Sequence, residues 1–181
     1  MTHEIIISGF GGQGVMAIGK TLAEAGMKEG LSVSWLPSYG PEMRGGTANC
    51  SVVLSEEEII SPMVLNPTEL IAMNKPSLVK FEPLTVPGGA LFINSSIIEI
   101  KAARGDVAAH YVPCLDIAGE LGNMKVANMV MLGAYIEATK LLSTDTIREM
   151  LAHMFTGPKA KLVELNIEAL RRGAKCISTE A

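Results

Sequence analysis

The sequence predicts an α/β protein: a mostly parallel, Rossmann-like sheet flanked by helices, with a helical C-terminal part. Three observations carry that expectation. Short β-branched runs alternate with helix-periodic stretches through the first two thirds of the chain. A glycine turn, Gly9-Phe10-Gly11-Gly12-Gln13-Gly14, joins the first strand to the first helix. Beyond residue 113 the strand patterns stop and only helical periodicity remains.

The first strand is expected over His3 to Ser8, whose near-continuous apolar run suits a buried parallel strand. Val15 to Glu29 follows as a helix, with Val15, Ile18, Leu22 and Ala25 on one inward face and Gly30 as a C-terminal stop. Leu31 to Leu36 is the second strand, closing a right-handed βαβ unit. Pro37 to Gly46 carries two prolines and three glycines, which rules out a regular element. That loop leaves the carboxyl end of strand two, on the sheet edge that also holds the glycine turn, where open α/β sheets bind ligands.

Thr47 to Leu54 is the third strand, followed by an acidic turn at Ser55-Glu56-Glu57-Glu58 that reads as a solvated hairpin tip, with Ile59-Ile60 as a short return. Glu69 to Met73 is a core strand, and Asn74-Lys75-Pro76 opens a helix towards Phe81. Pro87-Gly88-Gly89 introduces a strand over Ala90 to Asn94, and Val107 to Val112 is the last one. A short helix over Asp116 to Leu121 breaks at Gly122-Asn123, where Asn123 acts as a cap or turn residue. Lys125 to Leu142 is apolar around most of its circumference and is expected to be buried on several sides. Ser143-Thr144-Asp145 caps a helix over Thr146 to Met154. The last helix runs from Lys159 to Arg172, with Val163, Ile167 and Leu170 as its buried stripe. No repeat or linker divides residues 1–181, which are expected to form one domain.

Composition excludes several function classes. A net charge of −4 argues against a nucleic-acid binder, and the Arg171, Arg172, Lys175 cluster reads as a solvated helix terminus. Charged residues make up 19%, below the roughly 25% usual for soluble domains, which hints at surface facing a partner subunit. Cys50, Cys114 and Cys176 have neither zinc nor iron–sulfur spacing, and His3, His110 and His153 are scattered. The sequence opens without a signal-peptide pattern, and its longest apolar stretch, Val126 to Ile136, falls short of the ~18 residues of a membrane span. A soluble cytoplasmic protein is expected.

Gly9, Gly11 and Gly14 fit the dinucleotide spacing G-x-G-x-x-G. A nicotinamide site would add an acidic residue some twenty positions on, but Ser32 to Pro37 contains none, so NAD is disfavoured. NADP gains little, because the nearest arginine is Arg44. Gly14 leads to Val15 and Met16, which excludes a Walker loop. The turn then either cradles a phosphate or only packs helix against sheet. No nucleophile–base pair and no G-x-S-x-G elbow is present, so free-standing catalysis is not expected. Glu42 and Arg44 either orient an acidic ligand or brace their loop as an ion pair, and Tyr39 either packs or lines a ligand. Asn128, expected within an apolar face, needs a partner because an unpaired buried amide costs roughly 1–3 kcal/mol. A main-chain group of the glycine loops, a ligand or a subunit could supply it.

Together, Gly9 to Val15 and Pro37 to Gly46 resemble the gamma subunit of 2-oxoacid:ferredoxin (acceptor) oxidoreductases. Ser61-Pro62, Asn123 and the Asn128 to Ala134 run are similar to that family too, so the resemblance spans essentially the whole chain. It implies a heteromeric enzyme that oxidatively decarboxylates a 2-oxoacid to an acyl-coenzyme A. Thiamine diphosphate, magnesium and iron–sulfur clusters would sit in alpha, beta and ferredoxin-like delta subunits. The second loop looks more like the 2-oxoglutarate or 2-oxoisovalerate type than the pyruvate type. The resemblance makes Gly9, Gly11, Gly12, Gln13, Gly14, Ser38, Tyr39, Gly40, Glu42, Arg44, Gly45, Gly46 and Asn128 the candidate coenzyme A or docking residues. It implies no catalytic residue and no metal ligand in this chain. The rival expectation, from the glycine turn alone, is a stand-alone nucleotide-binding or regulatory module with no redox role.

Overall fold

A computed structural model describes residues 1–38, 47–154, 157 and 160–178. Strands β1 (Thr2–Phe10), β2 (Ser32–Ser38), β3 (Thr47–Ser55), β4 (Glu69–Ala72), β5 (Ala90–Asn94) and β6 (Ala108–Val112) form a sheet of order β2-β3-β1-β4-β5-β6. Helices α1 (Val15–Lys28), α2 (Lys75–Phe81), α3 (Cys114–Glu120), α4 (Ala127–Thr139), α5 (Thr144–Met154) and α6 (Lys161–Ser178) cover it, with a 3-10 turn at Met124–Val126 leading into α4. The mixed α/β architecture and helical C-terminal part are those the sequence predicts.

The sheet is parallel from β1 through β4 and β5 to β6, in register Ile7↔Ile71, Ile71↔Phe92 and Phe92↔His110. β3 is the exception. It runs antiparallel to both neighbours, pairing Ile7↔Cys50 on one side and Pro37↔Cys50 on the other. The expected βαβ unit of β1, α1 and β2 therefore forms with a strand inserted at its centre. Because β1 and β2 both oppose β3, their carboxyl ends still share one edge: Phe10 lies opposite Thr47, and Ser38 opposite Asn49.

Two apolar layers sandwich the sheet. One joins Ile5, Ile7, Val52 and Ile71 to Val15, Ile18 and Leu22 of α1 and to the buried faces of α4, α5 and α6. The other joins Ile6, Val53, Leu70 and Leu91 to Leu78 and Phe81 of α2. Leu22 is fully buried, which at 25 cal/mol per Å² stabilises the fold by about 1.5–3 kcal/mol. α4 is buried nearly all round, as its composition requires. It crosses α6 at van der Waals contact: a Cβ on Gly133 would overlap the backbone of Leu170, and one on Gly173 that of Val130.

Three expectations are corrected. No strand forms at Ile59-Ile60: the segment after β3 is irregular, Ile60 projects fully into solvent, and the chain returns as β4 parallel to β1. A hairpin would have required an antiparallel return. α6 runs on to Ser178, so Arg171 and Arg172 sit within the helix and pair with Glu168 and Glu120. Its buried stripe is Asn166, Ala169, Leu170 and Gly173, with Val163 and Ile167 only half-buried. No helix among the described residues is long and apolar enough to cross a membrane.

Candidate functional site at the glycine turn

α1, leaving β1, packs on one face of the sheet, and α2, leaving β4, packs on the other. The loops after β1 and β4 thus part in opposite directions at adjacent strands. Open α/β sheets bind ligands at such a switch point.

The glycine turn occupies it. Gly9, the penultimate residue of β1, sits where there is no room for a side chain: an added Cβ would lie 2.7 Å from Gln13 Oε1 and 2.8 Å from Met73 Cβ. Gln13 is the clasp. Its Oε1 accepts from the Phe10 amide at 2.7 Å, and its Nε2 donates to the Met73 carbonyl at 3.1 Å. The same carbonyl accepts from Asn94 Nδ2 at 3.3 Å, while the Met73 amide donates to Ser8 O at 2.8 Å. The ends of β1, β4 and β5 are stitched together through one residue. Ser8 and Ser77 hydroxyls, 2.8 Å apart and buried, tie β1 to α2, and Asn74 caps α2 by accepting from the Ser77 amide at 2.9 Å.

Gly14 caps α1 in the left-handed region, at φ +76°, where its backbone carbonyl starts the helix by accepting from Ile18. It lies directly against Asn128 at the start of α4, since a Cβ there would sit 2.5 Å from Asn128 Nδ2. Asn128 is half-buried rather than enclosed in an apolar face. Its Oδ1 accepts locally from the Met129 amide at 2.9 Å, and its Nδ2 has no partner among the described residues. Asn123 caps the preceding 3-10 turn by accepting from Lys125 N.

Beside the turn lies an open depression of about 250 Å³, bordered by Gly12, Gln13, Met73, Leu115, Lys125 and Asn128. Exposed Lys125 gives it positive charge, and the start of α4 adds to it. An anion with an extended apolar arm suits such a surface: backbone amides and Lys125 face the charge, and Met73 and Leu115 face the arm.

Of the residues singled out in the sequence, the fold brings together Gly9, Gly11, Gly12, Gln13, Gly14 and Asn128. Ser38 stands apart at the end of the edge strand β2, on the same edge of the sheet. Tyr39, Gly40, Glu42, Arg44, Gly45 and Gly46 lie outside the described residues. Lys125, Met73 and Asn94 were not anticipated as site residues. The position of Met73 and Asn94 at carboxyl ends of parallel strands was the available signal. The dinucleotide reading is weakened further, because β3 separates β2 from β1 and takes the ribose-binding position out of reach.

No three His, Cys, Asp or Glu side chains converge as a metal site among the described residues. Cys50 and Cys114 are core residues, and burial pushes the Cys50 thiol up to about 11, so it stays protonated and inert.

A family model described as pyruvate ferredoxin/flavodoxin oxidoreductase matches residues 4–176. The ketoisovalerate oxidoreductase subunit VorA of Methanothermobacter thermautotrophicus is 42% identical over 170 residues, covering 93% of this chain and 35% of VorA. The chain thus spans about a third of that relative's length. The 2-oxoglutarate synthase subunit KorC of Methanothermobacter marburgensis is 36% identical over 184 residues, covering 98% of this chain and 97% of KorC. Among solved structures, the keto/oxoacid ferredoxin oxidoreductase gamma subunit from Geobacter sulfurreducens PCA matches with a TM-score of 0.82 at 28% identity, covering 98% of this chain and 99% of that one.

Proposed function

We propose that this chain, which belongs to the pyruvate ferredoxin/flavodoxin oxidoreductase family, serves as the gamma subunit of a 2-oxoacid:ferredoxin oxidoreductase. The observation that carries the reading is the end-to-end likeness to KorC, over 98% of this chain and 97% of that subunit. The complex oxidatively decarboxylates a 2-oxoacid, 2-oxoglutarate or the branched-chain 2-oxoisovalerate, to its acyl-coenzyme A. Residues 1–181 act as one domain of a cytoplasmic assembly.

The chain's own chemistry fits a supporting role. Cys50 and Cys114 are buried in the core and Cys176 is half-buried on α6, which does not suit a cluster; in this reading iron–sulfur clusters, thiamine diphosphate and magnesium belong to alpha, beta and ferredoxin-like delta partners. Coenzyme A suits the depression at the glycine turn. The amides of Gly11 and Gly12 with Lys125 would hold its diphosphate, while Met73 and Leu115 would flank its arm. Gly9, Gln13 and Gly14 set the turn's shape. Asn128 walls the depression. Ser38 and the loop carrying Tyr39, Gly40, Glu42, Arg44, Gly45 and Gly46 extend the same edge towards the partner subunits.

Coexpression with the thiamine-binding partners tests this. The chain should copurify with them at fixed stoichiometry, and the complex should reduce a viologen dye with 2-oxoglutarate or 2-oxoisovalerate only when coenzyme A is present. Within the complex, Lys125→Gln should raise the KM for coenzyme A by roughly tenfold, the loss of one charge-assisted contact, with kcat little changed. A chain that never associates with those partners sinks the proposal.

A further inference from the structure

On its side of the sheet α2 packs over β1 and β4 and leaves the β2–β3 end of that face to small side chains. Side chains alternate along a strand, and Val33 and Trp35 of β2 join the α1 layer, so Ser34 and Leu36 point the other way. β3 sets Val53 beside Ser34 and Ser51 beside Leu36, and Leu36 is 44% exposed there. The connection over residues 56–68 leaves β3 at the amino end of β1 without forming a helix or strand. Ile59 and Val64 anchor it in the α2-side layer. Around those anchors Ile60 projects fully into solvent, and Met63 and Leu65 are 59% and 67% exposed. Between Ile60 and the sheet lies a hollow of about 300 Å³, floored by Thr2, Glu4, Val53 and Ser55.

Irregular connections of this length are uncommon in compact domains and usually carry function. Large apolar side chains held outward by inward anchors, beside a sheet face of small residues, make a surface suited to a protein partner. Glu4, Glu57 and Glu58 border the hollow, and no cation among the described residues does. The complementary surface therefore has an apolar ridge and a rim of Lys or Arg. A second copy of this chain fits poorly, because a two-fold contact through this face would set the acidic border against itself.

The lengths of two relatives point to the partner. The match covers 97% of KorC but only 35% of VorA, so the same unit occurs alone and as one part of a longer chain. We infer that this face docks the separate polypeptide corresponding to the remainder of VorA, with Leu36, Ile60, Met63 and Leu65 at the centre of the contact and the glutamates at its rim. The inference rests on the subunit role proposed above and adds to it which surface makes the contact. It shares no residue with the glycine-turn depression.

The test takes the protein of the same organism that matches the part of VorA outside this unit, and measures its affinity for the full chain by titration calorimetry. Ile60→Lys and Leu65→Lys, both at exposed positions, should each weaken binding by roughly tenfold or more. Glu58→Lys should weaken it at low salt and less at high salt. Met27→Lys, on α1 across the sheet, should leave it unchanged. Hydrogen exchange in the complex should slow over residues 57–66 and along β2. A wild-type chain that does not bind this partner overturns the inference together with the subunit reading. Binding undiminished by both lysine variants overturns the inference alone, as does a wild-type homodimer that Ile60→Lys abolishes.

Discussion

Gly14 should be far less replaceable than a glycine of the same backbone conformation elsewhere, and the structure says by how much. Gly14 and Gly30 both sit in the left-handed region, at φ +76° and +82°. Alanine there costs roughly 1–2 kcal/mol in either case. At Gly30 nothing lies within 4 Å of an added Cβ, so strain is the whole effect. At Gly14 the Cβ would also meet Asn128 Nδ2 at 2.5 Å and Asn128 Cβ and Cγ at 2.8 Å. Forcing extra volume into a packed contact adds about 1–3 kcal/mol. Gly30→Ala should therefore cost about 1–2 kcal/mol and Gly14→Ala about 2–5 kcal/mol. For a chain of this size that corresponds to Tm losses of roughly 2–8 °C and 4–20 °C. Equilibrium urea denaturation of both variants, with Asn128→Gly and the double Gly14→Ala/Asn128→Gly variant, measures the contact directly. A coupling energy of about 1–3 kcal/mol between the two sites is expected. If the two alanine variants are equally destabilised and the cycle shows no coupling, α1 and α4 do not abut as described.

Gln13→Leu should remove the clasp on the turn, cost about 1–3 kcal/mol and speed hydrogen exchange at the Phe10 amide well ahead of the rest of β1. Gly173→Ala should drive α6 away from the backbone of α4 and lower stability by about 1–3 kcal/mol or more, read from the urea midpoint at unchanged slope. The Cys50 thiol, held up to about 11 from 9.0 mainly by burial, binds its proton more tightly in the native state than in the unfolded chain. Its contribution is complete below pH 9 and is lost as pH rises through about 11, so Cys50→Ala should flatten the alkaline fall in stability over that window by roughly 2–3 kcal/mol. At pH 8 a thiol-specific dye should spare Cys50 and Cys114 in the native protein and reach both after unfolding.

Local patterns carried most of the architecture because they coincide with burial. Val15, Ile18, Leu22 and Ala25 repeat at helical spacing and all four are buried in α1. Pro87-Gly88-Gly89 marks the entry to β5, and Asn74 the entry to α2. The insertion of β3 between β1 and β2 was not legible, since nothing in the βαβ pattern states which strand a later one will pair with. The Ile59-Ile60 pair misled for a related reason: two β-branched residues read as a strand, but they pair with no strand among the described residues. At the site, the glycines announced the turn because the backbone there demands them. The contacts that complete it depend on residues distant in sequence. Gln13 meets Met73, Met73 meets Asn94, and Gly14 meets Asn128. Each of those pairs follows from the parallel register and from the crossing of α4 over the sheet, neither of which a one-dimensional pattern contains.

The most direct test of the central claim is an omission and add-back measurement on the assembled enzyme. Acyl-coenzyme A formed from 2-oxoglutarate or 2-oxoisovalerate is followed by chromatography while this chain is titrated into its thiamine- and cluster-bearing partners. The account predicts little product without the chain and a rise that saturates at a fixed stoichiometric ratio. Full product formation in its absence, unchanged on addition, would contradict it.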